Sequence, residues 1–314
     1  MPETLVTVCI ATYNHGEYIS KCLKSVLNQK TSFKYKILLG DDSSTDNTQE
    51  IIHNFAVQYP GKITAIFRKE NLGCPYNGLD LWQKVKSKYI AILDGDDFWT
   101  DPDKLQKQID YLEANPNVSC CATDFDQINK DGVFEKNPEP YPEIVKLKTE
   151  TIIRSKWCPT QTCTIVFHTS LLDLTPLFLH DQLIVCGDWA LSCWFSTKGE
   201  VHILPDTTCT KRMNSGGIWS SKSNILNAYR LICFSCRMPR YFPRKYKQYF
   251  RQNLVRDMPI FLEQLIHLQN FKESSSYIFA LIKIPIHISF IPSILKTFLI
   301  IVMNTIRMKK FSFQ

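Results

Sequence analysis

Glycine is scarce in this chain, 11 of 314 residues, and it forms neither a GxGxxG after an apolar run nor a GxxxxGK[ST]. Both motifs use glycine so that backbone N–H groups can close on a phosphate. A diphosphate, if one binds, is therefore not cradled in either manner. No charge-free apolar run reaches the ~20 residues of a membrane-spanning helix. The most apolar segment, Leu281–Met303, is interrupted by Lys283, Pro285, His287, Pro292 and Lys296. The first residues, Met-Pro-Glu-Thr-Leu, have no basic n-region and no apolar h-region, so no secretory signal is expected. No solenoid-type repeat is visible. The 12 cysteines follow no regular spacing, and the one CxxC is Cys233-Phe-Ser-Cys236. It lacks both the second pair of a zinc ribbon and the strand-then-helix setting of a redox motif. Ordinary buried thiols in a reducing cytoplasm are the expectation.

Hydrophobic residues make up 44% and charged residues 21%, which is the range of folded soluble proteins rather than disordered ones. The length suits one large domain, or a main domain with an appendage. Charge is unevenly placed. From Arg230 onward there are 14 Lys/Arg against 3 Asp/Glu, a net of +11. The remainder of the +7 total is a body of net −4. A basic tail on an acidic body points to an anionic surface, phospholipid or nucleic acid.

The first hundred residues alternate apolar runs with helical patterns. Leu5–Ala11, Tyr35–Gly40, Ile63–Phe67, Tyr89–Leu93 and Val118–Ala122 read as strands buried on both faces. Between them, Ile19, Cys22, Leu23, Val26 and Leu27 form a helical stripe. A second helix is predicted after an Asp46 cap with Gln49 three residues on, its inner face Ile51, Ile52 and Phe55. A third is predicted after Asp101-Pro102, with Leu105, Ile109 and Leu112 inward. The alternation predicts an α/β fold, a mostly parallel central sheet flanked by helices. Residues 123–156 read as loop or edge hairpin, Thr162–Phe167 as a strand, and Asp188–Phe195 as a helix.

In open α/β sheets ligands bind at the carboxyl ends of strands. Thr12-Tyr13-Asn14, Asp41-Asp42 and Asp94-Gly95-Asp96-Asp97 all fall at such ends. Three carboxylates within four residues repel one another unless a cation neutralises them, and oxygen ligands of this kind suit Mg²⁺ or Mn²⁺ held together with substrate phosphates. The plainer reading of Asp-Gly is a solvated turn.

The blocks VCIATYNHGEYISKCLKSVLNQ, ILLGDDSSTDNTQEII and YIAILDGDDFWTDPDKLQKQIDYLE, in this order, resemble the family 2 inverting glycosyltransferases of the GT-A fold over roughly residues 4 to 125. The resemblance implies a metal-dependent enzyme (hexosyl or N-acetylhexosaminyl transfer) with a nucleotide-sugar donor, a UDP-sugar. Thr12 and Tyr13 would wall the base, with Asn14 beside them, and Asp42 would accept from the uracil ring. Asp94 and Asp96 would be the acids of the DxD motif, with Asp96 or Asp97 nearest the Mn²⁺ or Mg²⁺. Asp188, in Cys186-Gly187-Asp188-Trp189, would be the general base, Gly187 standing where such enzymes often carry a first acid. The other reading of Asp188 is a helix N-cap. Lys211–Ser220 resembles a loop that closes over the donor; Arg212 or Lys211 would meet the diphosphate, and Asn214 stands where many relatives have histidine. Trp157 and Trp219 are candidate sugar platforms, with core packing the alternative.

The expected organisation is a catalytic domain over 1–222 and a basic helical region over 223–314. The latter would lie on the inner face of the cytoplasmic membrane, with Arg307, Lys309 and Lys310 at the headgroups. Packing of its apolar segment on the protein is the alternative. No fold signature of a nucleic-acid reader accompanies the basic charge, so no nucleic acid partner is expected. With no Gln-x-x-Arg-Trp run, a single-addition enzyme is expected, its acceptor a glycan or glycolipid hydroxyl of lipid-linked, lipopolysaccharide (O-antigen) or capsule type. The rival reading is a catalytically silent nucleotide-sugar binder or membrane scaffold.

Overall fold

The computed structural model describes residues 4–74, 76–172, 181, 184, 187–213, 223–268, 270–282, 292, 295–297, 299–300 and 302–303. The chain divides into two compact units: Met1–His180 with Gly187–Ser220, and Asp181–Cys186 with Ser221–Gln314.

In the first unit β1 (Thr4–Thr12), α1 (Ile19–Leu27), β2 (Lys34–Asp41), α2 (Thr48–Gln58), β3 (Ile63–Phe67), α3 (Tyr76–Gln83) and β4 (Tyr89–Asp94) alternate as the pattern predicts. Then come β5 (Phe98–Trp99), α4 (Lys104–Ala114), β6 (Val118–Ile128), β7 (Phe134–Glu135), β8 (Val145–Leu147), α5 (Thr149–Arg154), β9 (Val166–His168), α6 (Gly187–Phe195) and β10 (Glu200–Arg212). The sheet runs β3-β2-β1-β4-β9-β6-β10-β5, with β7 on β6 and β8 on β10. β1 to β4 are mutually parallel. β9 is antiparallel to both β4 and β6, so β6 regains the direction of β4, and β10 is parallel to β6. The carboxyl ends of β1, β2, β4 and β10 therefore share one edge. Val6, Val8 and Ile10 of β1 and the α1 stripe of Ile19, Cys22, Leu23 and Val26 are fully buried in one core, each large side chain adding about 1.5–3 kcal/mol.

Some local expectations are corrected. The N-cap of α2 is Asn47 rather than Asp46, and its side chain makes no cap hydrogen bond; Asp46, one residue earlier, accepts from the Thr48 amide at 3.0 Å in a turn, and Gln49 closes no capping box but donates to Asp41 at 2.6 Å. α4 begins at Lys104, after a turn in which Asp101 accepts from the Asp103 amide. Thr162–Phe167 is not one strand: Thr162–Thr164 is a 3-10 turn and β9 starts at Val166. β6 continues through Ile128 because β10 pairs along its whole length. Pro205-Asp206 hides β10 from the strand pattern; the ladder shifts register there, which accommodates a residue without an N–H.

In the second unit α7 (Asn224–Arg237), α8 (Lys247–His267) and α9 (Phe271–Ile282) share a core of Ile232, Cys233, Met258, Phe261, Leu265 and Leu281. The buried Asp181 is neutralised by Arg237 at 2.7 Å. Cys233 and Cys236 are free, buried one turn apart on α7. Eleven free cysteines are described, nine of them buried, as expected. Among the described residues no helix is long and apolar enough to cross a membrane. Arg307, Lys309 and Lys310 lie outside the described residues.

Candidate active site

The parallel register sets the strand ends flush: Thr12 pairs with Asp41, and Ala11 with Asp94. The alignment continues into the loops, where the Asp42 amide donates to Thr12 O and the Gly95 amide to Ala11 O, both at 2.9 Å.

Thr12 is buried, its hydroxyl 3.1 Å from Nδ1 of His15. Tyr13 is 44% exposed. Asn14 adopts φ 53° and Ser43 on the adjacent loop φ 64°, left-handed conformations that cost a non-glycine residue energy and cluster at functional sites. Asn14 is held by both ends. Its amide donates to Ser44 Oγ and its side-chain oxygen accepts from the Thr45 amide, each at 2.8 Å. It joins the β1 and β2 loops. Asp41 is buried and ties Ser44 and Gln49. Asp42 accepts from the Leu72 and Gly73 amides at 2.8 Å, one on each oxygen, and so fastens the turn before α3. Each oxygen retains a second lone pair for a ligand.

The β4 end gathers the acids. Asp94 is half-buried and its pKa is pushed up to about 7, by burial first and then by Asp96 and Asp188, against Lys211 and the Thr162 hydroxyl. Asp97, 4% exposed, lies well above the usual carboxylate range through burial and its neighbours Asp96 and Asp94. One of its oxygens accepts from the Arg212 amide at 2.7 Å. Asp96 sits 3.9 Å from Nε2 of His15. Gly95 has no room for a side chain, since a Cβ there would lie 2.4 Å from Thr12 Oγ1.

β10 and α6 complete the cluster. Asp188 stands in the first turn of α6, where the helix dipole favours an anion. Burial nonetheless raises its pKa, with Lys211, the Trp189 amide and Cys158 opposing. That amide lies 2.8 Å from Asp188 Oδ1. Burial alone would depress Lys211, yet Asp188 and Asp97 carry it above its ordinary value. Arg212 donates from Nε to Asp96 O at 3.1 Å and lies over the Tyr18 ring, 4.5 Å from its centroid.

Thr12, Asp42, Asp94, Asp96, Asp97, Asp188, Lys211 and Arg212 thus occupy one edge of the first unit. Among the described residues no three His, Cys, Asp or Glu side chains form a ready-made metal cage. The all-oxygen acids crowded at Asp94–Asp97 do fit a divalent cation whose shell is completed by phosphate oxygens. Trp157 is 68% exposed. Asn214 and Trp219 lie outside the described residues. His15, Gln161, Thr162 and Cys158 were not among the expected site residues. His15 lies inside the Thr12–Gly16 run that follows β1; no short motif marks the other three, and only the fold brings them to the acids.

The Glycosyl transferase family 2 model matches residues 7–175, and the protein belongs to that family. An uncharacterized Mycobacterium tuberculosis protein is 30% identical over 216 residues, 69% of this chain and 61% of its own length. The chain thus spans about three fifths of that curated relative. The structure of S. aureus TarS 1-349 in complex with UDP-GlcNAc aligns with a TM-score of 0.57 at 17% identity, over 94% of this chain and 79% of that one. The mannosyltransferase PcManGT from Pyrobaculum calidifontis, in complex with GDP-Man and Mn2+, aligns at 0.58 and 17% identity, over 88% and 74%. The fold is GT-A.

Proposed function

We propose that the first unit is an inverting, non-processive glycosyltransferase that moves a sugar from a UDP-sugar to an acceptor hydroxyl. The observation that carries this reading is the convergence of the Asp94–Asp97 acids with Asp188 and Lys211 on one sheet edge. Donor and acceptor chemistry need opposite equipment, a counter-charge for a leaving diphosphate and a base for a hydroxyl, and the two lie side by side. TarS and PcManGT carry nucleotide-sugars in their structures, which supports the donor class.

Tyr13 is exposed enough to stack on the base, and Asp42 keeps lone pairs for its ring N–H. Asp96 and Asp97 would hold Mn²⁺ or Mg²⁺, which when bound offsets charge building on the diphosphate. Arg212 fixes the DxD turn through Asp96 O and the Asp97 carboxylate. Asp188 takes the acceptor proton as the acceptor oxygen bonds to the anomeric carbon and the bond to UDP breaks, inverting that centre.

The second unit docks the enzyme on an anionic membrane, the inner face of the cytoplasmic membrane, where a lipid-linked, lipopolysaccharide or capsule saccharide is the acceptor. Exposed Leu295, Leu299 and Met303 recur every four residues within a region of net +11, which supports an in-plane contact. The catalytic domain is assigned to 1–222 and the membrane region to 223–314.

Titration calorimetry of UDP, GDP and ADP, with and without Mn²⁺, on wild type and Asp96→Ala tests the donor site. UDP binding that requires Mn²⁺ and is lost in the variant is expected. Absence of all nucleotide binding would favour a silent scaffold.

A further inference from the structure

We propose that His15 is a nitrogen ligand of the divalent cation at the DxD turn, sharing that ion with Asp96 and so favouring Mn²⁺ over Mg²⁺. This rests on the reading of Asp96 as a ligand of the donor-side cation.

Backbone bonds bring the imidazole to the turn. The His15 amide donates to Thr48 Oγ1 at 2.9 Å, and its carbonyl accepts from the Tyr18 and Ile19 amides, both at 2.8 Å, at the entry to α1. Residue 15 is thereby pinned between α1 and α2. Its ring can lie against the acid turn because residue 95 has no side chain; a Cβ there would be 2.9 Å from His15 Nδ1. Nδ1 is 3.1 Å from Thr12 Oγ1, and Nε2 faces Asp96 Oδ2 at 3.9 Å.

That 3.9 Å gap is too long for a hydrogen bond, yet one ion can touch both atoms. Legs of about 2.1 Å to nitrogen and oxygen allow up to about 4.2 Å between two ligand atoms. The two side chains are 20% and 13% exposed, so the pair is sheltered but open to an ion. Thr12 supplies what a metal-binding imidazole needs on its far side, a hydrogen-bond acceptor that keeps the proton on Nδ1 and the lone pair on Nε2. A lone pair facing a carboxylate is repulsive alone and favourable with a cation between them. The other positions around the ion fall to the neighbouring acids and to diphosphate oxygens. Magnesium, which keeps oxygen ligands and water, gains little from an imidazole; a first-row transition ion gains more.

The test is pulsed electron paramagnetic resonance of Mn²⁺ bound with UDP, in ¹⁵N-histidine-labelled and unlabelled protein. A coupling to a directly bound nitrogen that changes with the label is expected in wild type and is lost in His15→Gln. Calorimetry in the presence of UDP should show the preference for Mn²⁺ over Mg²⁺ falling on the order of tenfold in that variant. His15→Asn repeats both measurements should the glutamine variant misfold. Bound Mn²⁺ without label-dependent coupling overturns the proposal and leaves Asp96 as a ligand. A coupling that persists in His15→Gln also overturns it, since another histidine would be the source. Failure of wild type to bind Mn²⁺ with UDP would remove the reading of Asp96 and the proposal with it.

Discussion

Gly95→Ala is a one-methyl change that should disable the site. The added Cβ would lie 2.4 Å from Thr12 Oγ1, 2.7 Å from Thr12 Cβ and 2.9 Å from His15 Nδ1. Neither side can easily retreat. The Gly95 amide is bonded to Ala11 O at 2.9 Å. Thr12 is β-branched and buried, with few rotamers. The β4 turn must therefore lift from the β1 end, carrying Asp94 and Asp96 with it. Overpacking of this kind costs about 1–3 kcal/mol, or roughly 2–4 °C in Tm per kcal/mol for a domain of this size. Thermal unfolding measures that loss, and calorimetry with UDP and Mn²⁺ measures the accompanying loss of affinity. Thr12→Gly in the Gly95→Ala background removes both the oxygen and the carbon of the clash, and should recover part of the Tm. A Gly95→Ala protein with wild-type Tm and wild-type UDP affinity would refute the close packing of the two strand ends.

Asp188→Asn should abolish transfer while UDP affinity stays within about twofold, because a base is needed only for the chemical step; a parallel loss of affinity would place Asp188 on the donor. Burial raises the Asp188 pKa, and with Asp188 as the proposed base the ionised form is the active one. Activity should therefore climb with pH through a midpoint above that of an ordinary aspartate, and the pH–rate profile shows whether the acid limb sits there. Tyr13→Ala should weaken UDP by about 1–3 kcal/mol, the worth of base–aromatic stacking. It should leave Tm unchanged because the ring is exposed; an unchanged Kd would remove Tyr13 from the base site. Asn14→Ala should lower Tm by more than Tyr13→Ala does, since it strips an acceptor from the Thr45 amide at a position that favours asparagine.

The half of the sheet that carries the donor acids was legible because its physics is local. β1, β2 and β4 are short apolar runs that give way to Thr12-Tyr13-Asn14, Asp41-Asp42 and Asp94-Gly95, and the alternation with helices fixes both their direction and the edge on which those stops gather. β9 was half legible: its apolar residues were recognised, but the 3-10 turn at Thr162–Thr164 contributes to no periodicity. β10 was not legible, because a proline in mid-strand removes a donor and argues against a strand. Only pairing with β6 along its length overrides that local signal.

That one unreadable strand explains why the site was read as separate parts. Asp97 and Arg212 are 115 residues apart and bonded at 2.7 Å, so nothing in the spacing of either could announce the other. Lys211, assigned from sequence to a mobile donor loop, is instead near the end of β10, which fixes its backbone, and the acids Asp188 and Asp97 hold its pKa above the ordinary value. A cation on a flexible loop would follow the diphosphate alone. A cation on a strand feels both acids and must favour whichever carries more charge.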